Sequence, residues 1–113
     1  MSTNAFAKET DDSDNTDPPL FVGYNRDRSI IVTYSYYGFV GVQLTEAINR
    51  FTETSLATAI VEIAHLAQQR ARAALRELQL AQGASRSALA RYGMPTHQDV
   101  AALQERIEKD PDL

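Results

Sequence analysis

The chain has no cysteine and no tryptophan, and only two histidines, five glycines and four prolines in 113 residues. Each scarcity closes off a chemistry. Without cysteine there is no disulfide framework, no thiolate metal site and no thiol nucleophile, and two histidines cannot by themselves assemble a histidine-rich metal centre. Gly38, Gly41 and Gly93 stand too far apart to form a GxGxxG or P-loop phosphate cradle. Excess positive charge is also missing: 11 Lys plus Arg face 15 Asp plus Glu, and a net charge of −4 argues against a generic polyanion binder. The longest apolar stretches fall far short of the roughly 18 residues that span a bilayer, and Met1 to Lys8 lacks the apolar centre of a signal peptide. These absences lead to an expectation of one small domain in the cytoplasm, with no membrane insertion, no metal and no cofactor.

What is present is unevenly spread. Residues 1–19 carry Lys8 against Glu9, Asp11, Asp12, Asp14 and Asp17, and end in Pro18-Pro19. Such a segment cannot bury enough apolar surface to offset its ordering entropy, so a disordered acidic tail is expected there. From residue 20 onward, ten basic and ten acidic residues balance, so the acidity of the chain belongs to its tail.

From Leu20 the composition changes to dense β-formers. Leu20–Tyr24, Ser29–Ser35 and Phe39–Leu44 read as three short antiparallel strands in a meander, with Asn25-Arg26-Asp27-Arg28 as the first turn. A three-residue second loop, Tyr36-Tyr37-Gly38, would place Ile30, Val32 and Tyr34 on one face with Val40, Val42 and Leu44. A two-residue loop at Tyr37-Gly38 mixes the faces and ranks second. Thr54 then fits the N-cap of a long helix from about Ser55 to Gln82, closed by Gly83. Leu56, Ala59, Ile60, Ile63, Ala67, Ala71, Ala74 and Leu78 make its apolar stripe, with His65, Gln69, Arg72 and Arg76 opposite. A short helix over 85–92 and a last one opening at Thr96 complete the chain. The fold class is therefore α+β: a sheet-plus-helix domain over 20–82 and a C-terminal helical extension over 83–113.

The long helix is out of proportion to the sheet. About 28 residues rise roughly 42 Å, while strands of six or seven residues span about 20 to 24 Å. The surplus apolar stripe must meet the C-terminal segment, a second copy or another protein, which makes Ile63, Ala67, Ala71, Ala74 and Leu78 the candidate partner-binding residues.

No pattern of catalytic residues stands out. The carboxylates of the folded part are scattered singly, and Asp99, Glu105, Glu108, Asp110 and Asp112 read as a solvated terminus, so no catalytic residue is assigned. His65 and His97 have no second histidine or acid at ligand spacing, and exposed histidine is the simpler reading. Phe21, Tyr24, Tyr34, Tyr36, Tyr37 and Phe39 could stack bases, though sheet packing explains them more economically. Arg70, Arg72, Arg76, Arg86 and Arg91 against Glu77 alone form a local basic cluster. It is a solvated helix face, a dock for the acidic tail, or a contact for an anionic partner, for which Arg72, Arg76, Arg86 and Arg91 are the candidates.

Three strands followed by an Ala-rich helix, carried by Ser29–Val32, Gly38, Val42–Leu44 and Leu56–Arg72, resemble the later part of YbaB-type proteins, which are small dimeric nucleoid-associated DNA-binding proteins. Leu20-Phe21, Ser29–Val32, Val42-Gln43-Leu44, Ser55-Leu56-Ala57, Ile60–Ala71 and Tyr92-Gly93-Met94-Pro95 are more closely similar to mycobacterial type VII secretion-associated proteins of the EspD and EspH kind. That resemblance covers about residues 20–107. It implies a non-enzymatic accessory or chaperone-like protein that binds and stabilises secreted Esp-type substrates, with a homodimer as its form. A nucleoid-associated DNA-binding protein is the alternative. The general export signal of such systems joins a WxG turn to Tyr-xxx-Asp/Glu. Here Trp is absent, and the residues four after Tyr24, Tyr34, Tyr36, Tyr37 and Tyr92 are Arg28, Gly38, Val40, Gly41 and Thr96. A cytoplasmic role, or export only alongside a partner, is expected.

Overall fold

The turn Asn25-Arg26-Asp27-Arg28 reverses the chain between β1 (Phe21–Tyr24) and β2 (Ile30–Ser35), the first two strands of the computed structural model, which describes residues 18–113. All of the expected acidic tail except Pro18 and Pro19 lies outside the described residues. The Arg28 N–H donates to the Asn25 carbonyl at 3.0 Å, and Arg28 takes a φ of +58° to close the turn. β3 (Gly38–Leu44) follows, and the strands pair antiparallel in the order β1-β2-β3.

The register groups side chains nearly as the alternation predicts. Ile30 pairs with Leu44 and Val32 with Val42, so these four share a face, and Phe21 and Gly23 join them opposite Tyr34 and Val32. The β2–β3 loop differs from the expected one. Ser35 pairs with Gly38, leaving only Tyr36-Tyr37 in the turn, and a bulge at Thr33/Tyr34 shifts the register so that Tyr34 meets Phe39 rather than Val40. The bulge absorbs the odd residue that a longer loop would have taken, which keeps the apolar faces in phase. Gly38 sits at a φ of +132°, a conformation that side chains rarely adopt.

A 3-10 helix over Glu46–Arg50, capped by Thr45, leads into α1 (Glu53–Ala81). Its N-cap is Thr52, not the expected Thr54. The Thr52 hydroxyl accepts from the Ser55 N–H at 3.0 Å while the Ser55 hydroxyl accepts from the Thr52 N–H at 2.9 Å. That reciprocal box satisfies two terminal donors and sets the start of the helix two residues early. With 29 residues α1 is about 44 Å long. It packs over β1 and β2, and Ala59, Ile63, Ala67 and Ala71 are buried along it.

α2 (Arg86–Arg91) is a short helix capped by Ser85, and α3 (His97–Lys109) starts at a second capping box formed by Thr96 and Asp99. α3 packs along α1, and Val100 and Ile107 share one buried cluster with Leu66 and Ala73 of α1 and with Ile30 and Val32 of β2. Burying a large aliphatic side chain in such a cluster contributes about 1.5–3 kcal/mol. Glu62–Arg106 at 3.7 Å and Arg70–Gln104 tie the two helices at the rim.

Candidate protein contact surfaces

The five candidate residues of the apolar stripe separate into three environments. Ile63, Ala67 and Ala71 lie in the core, so they are not free to meet a partner, contrary to the expectation above. The reason is the closeness of β1. A Cβ placed on Gly23 would stand 2.6 Å from the Ile63 carbonyl oxygen and 2.8 Å from the Ala67 nitrogen, so strand and helix backbones are in direct contact. Ala74 is half-buried beside Phe21, Arg70, His97 and Val100. Leu78, at 41% exposure, is the one stripe residue that remains open.

The four candidate arginines also divide. Arg72 donates to the Gly93 carbonyl at 3.3 Å and to Gln69 Oε1 at 3.4 Å, bracing the turn after α2 against α1. Arg76, its side chain 11% exposed, pairs with Glu77 at 3.2 Å. Arg86 and Arg91 are exposed on α2. Of the wider cluster, Arg70 is engaged with Gln104 on α3, and its Nε has no partner among the described residues. The basic cluster of the sequence is therefore not one open cationic face.

Two apolar surfaces remain. The first follows from the surplus length of α1. Beyond Ala73 no residue of α1 is buried, and α2 with its flanking turns folds back against this distal end. Between them lies a groove of about 450 Å³, lined by Leu75, Ala84, Ala88, Leu89, Tyr92 and Met94 together with Gln79 and Gln82. Tyr92, 78% exposed, stands on its rim. The second is β3. Because α1 lies over β1 and β2, no helix among the described residues covers β3 on that side, and Phe39, Val42 and Leu44 are 59%, 45% and 40% exposed.

At the opposite end of α1 a polar latch closes the fold, and sequence reasoning did not find it. Asn25, fully buried, donates through Nδ2 to Ser29 Oγ at 2.8 Å and to the Leu113 carbonyl at 2.9 Å, and its Oδ1 accepts from the Ile30 N–H at 3.0 Å. Arg50 donates to the same Leu113 oxygen at 2.7 Å and meets Asp27 at 3.2 Å. Burial alone would raise the Asp27 pKa. Hydrogen bonds from the Ser29 hydroxyl and N–H and from Arg50, with the charge of Arg50, outweigh it and hold the carboxyl below its ordinary range. The signal for the latch was the pairing of Asn25 with Ser29 across a tight turn, which reads as turn chemistry until residue 113 is placed beside it.

His65 and His97 are both exposed, and no group of three or more His, Asp or Glu side chains able to hold a metal ion occurs among the described residues. Nor is any described helix long and apolar enough to cross a membrane. No family model matches this chain, and comparison with curated proteins and with solved structures returns no match.

Proposed function

We propose that this chain is a non-enzymatic, chaperone-like accessory protein of a type VII secretion system, which binds secreted substrates through the groove between the distal end of α1 and α2. The observation that carries the reading is that groove: a largely apolar surface of about 450 Å³ whose lining includes an exposed tyrosine and two glutamines. Its apolar lining suits a short amphipathic segment laid against it by apolar side chains. A chaperone of this kind needs a preformed apolar surface and no catalytic group. The resemblance over residues 20–107 supplies the client class, a secreted Esp-type substrate. The reading places the work in the cytoplasm, with export only in company of the client.

The experiment is co-expression of the tagged full chain with type VII substrates, followed by measurement of the soluble, co-purified substrate. Wild type retains one substrate in solution, whereas Leu75→Asp and Tyr92→Ala, both at residues that line the groove, lose it while keeping the helical circular-dichroism signal of the parent. Equal recovery with both variants contradicts the groove as the client site.

A nucleic-acid reading draws on Arg86 and Arg91, the exposed first and last residues of α2. Two arginines give a shallow salt dependence, because each phosphate contact adds about one unit to the slope.

A further inference from the structure

We propose that the acidic segment 5–17 of this chain, outside the described residues, docks in the groove between the distal end of α1 and α2 and competes there with clients. The competition rests on the reading of that groove as the client site; the docking does not.

The segment joins the folded body close to the groove. Pro18, Pro19 and Leu20, all exposed, lead into Phe21, which lies beside Arg70 and Ala74 of α1. The Phe21 ring is 5.4 Å from that of Tyr36, Tyr36 lines a small cavity with Arg72 and Leu75, and Leu75 lines the groove. From Ala74 to the end of α1 at Ala81 the helix rises only about 10 Å. Phe6 stands fifteen residues before Phe21, and a chain of that length extends to at most about 50 Å. Reach is therefore ample.

Charge complementarity selects this occupant. Between residues 66 and 98 there are five arginines and a single carboxylate, Glu77. Arg86 and Arg91 are exposed on α2, which supplies Ala88 and Leu89 to the groove, and neither pairs with a carboxylate among the described residues. Residues 1–17 hold five carboxylates against Lys8, and one aromatic residue, Phe6, between Ala5 and Ala7. An apolar side chain followed by acids at 9, 11, 12, 14 and 17 complements an apolar groove flanked in the chain by arginines. β3, the other open apolar surface, carries no charged residue, so the acids find no counterpart on that strand.

The tether makes a weak contact sufficient. A segment held on the same chain meets its site at an effective concentration of about 1 mM, so an affinity of about 0.1 mM fills the groove about nine-tenths of the time. Clients then bind about tenfold more weakly than to an open groove. A client in excess displaces the segment and, bound more tightly, protects the same residues further.

Amide hydrogen exchange of the full chain, without client, tests the docking. Wild type is compared with Phe6→Ser and with a variant that joins Asp11→Asn, Asp12→Asn, Asp14→Asn and Asp17→Asn. All of these positions precede Pro18, and equal exchange at β1, β2 and the Asn25 latch checks that the core is intact. Residues 75–82 and 88–94 exchange about threefold to tenfold faster in both variants than in wild type, at low and high protein concentration alike. Groove exchange that is the same in all three chains overturns the proposal. So does an acceleration confined to 97–104, which puts the segment in the pocket beside Phe21, or a wild-type protection that vanishes on dilution, which puts a second copy's segment in the groove. The affinity of a purified type VII substrate tests the competition: both variants bind it about threefold to tenfold more tightly than wild type. An affinity lowered by Leu75→Asp but indifferent to the segment variants overturns the competition. An affinity indifferent to Leu75→Asp as well, with the exchange result intact, removes the groove as client site and the competition with it, while the docking stands.

Discussion

Gly23 of β1 lies against Ala67 of α1 so closely that a Cβ on the glycine would stand 2.8 Å from the Ala67 nitrogen. The contact fixes the helix on the sheet and explains why the alanine-rich stripe is a core feature. Its neighbours at that point are backbone atoms, which cannot swing aside as a flexible side chain would. Gly23→Ala therefore destabilises the fold by about 1–3 kcal/mol, the usual cost of overpacking. A drop in melting temperature of several degrees, read by circular dichroism, checks it. Ala67→Glu places an unpaired charge in the same contact and abolishes cooperative unfolding, rather than sparing the fold as a surface stripe would allow.

The Asn25 latch makes a second prediction. Truncation in Asn25→Ala leaves the Ser29 hydroxyl and the Ile30 N–H without their buried partner, and the Leu113 main-chain oxygen with Arg50 alone. A loss of about 1–3 kcal/mol follows, measurable by urea unfolding. Because the latch and the groove lie at opposite ends of α1, client recovery at a temperature where the variant is folded stays at the wild-type level.

Acid sensitivity follows from Asp27. Its pKa in the folded chain is lower than in the unfolded chain, so the unfolded state takes up the proton first as pH falls. The stabilisation is complete above the ordinary carboxylate pKa of about 4 and is lost as pH drops through the folded value. Asp27 and Arg50 are more than a third exposed, so solvent screening limits the effect to less than about 1 kcal/mol. Stability measured by urea at pH 6 and at pH 3 falls less in Asp27→Asn than in wild type. An equal fall in both would show that Asp27 contributes nothing.

Charge on α2 gives the fourth. If Arg86 and Arg91 contact an anionic polymer, duplex DNA in low-salt buffer binds the wild type and not Arg86→Glu/Arg91→Glu, with a salt slope of about two. The chaperone reading expects no mobility shift for either chain.

The fold was legible where a local pattern and its tertiary use agree. Strand alternation over Ile30–Ser35, the Thr96–Asp99 cap and the over-long helix all read correctly, because apolar periodicity and capping chemistry are local properties. The Thr52 cap was passed over because its reciprocal partner is Ser55, a less common member of the capping box than Glu or Gln. The β2–β3 bulge could not be read, since one extra residue fits either a loop or a strand. The candidate contact residues split for a reason that lies outside any one segment. Stripe periodicity identifies Ile63, Ala67, Ala71, Ala74 and Leu78 as apolar, but only the placement of Gly23 decides which of them the sheet covers. The reach of α1 past the sheet was predictable from length alone, and the groove at its end is where that surplus appears.

The most direct test of the groove as client site is amide hydrogen exchange on the full chain, with and without a purified type VII substrate. Protection is predicted at Leu75–Gln82 and Ala88–Met94, with β1, β2 and the Asn25 latch unchanged. Substrate binding that leaves 75–94 unprotected, or that protects only β3, would contradict the account.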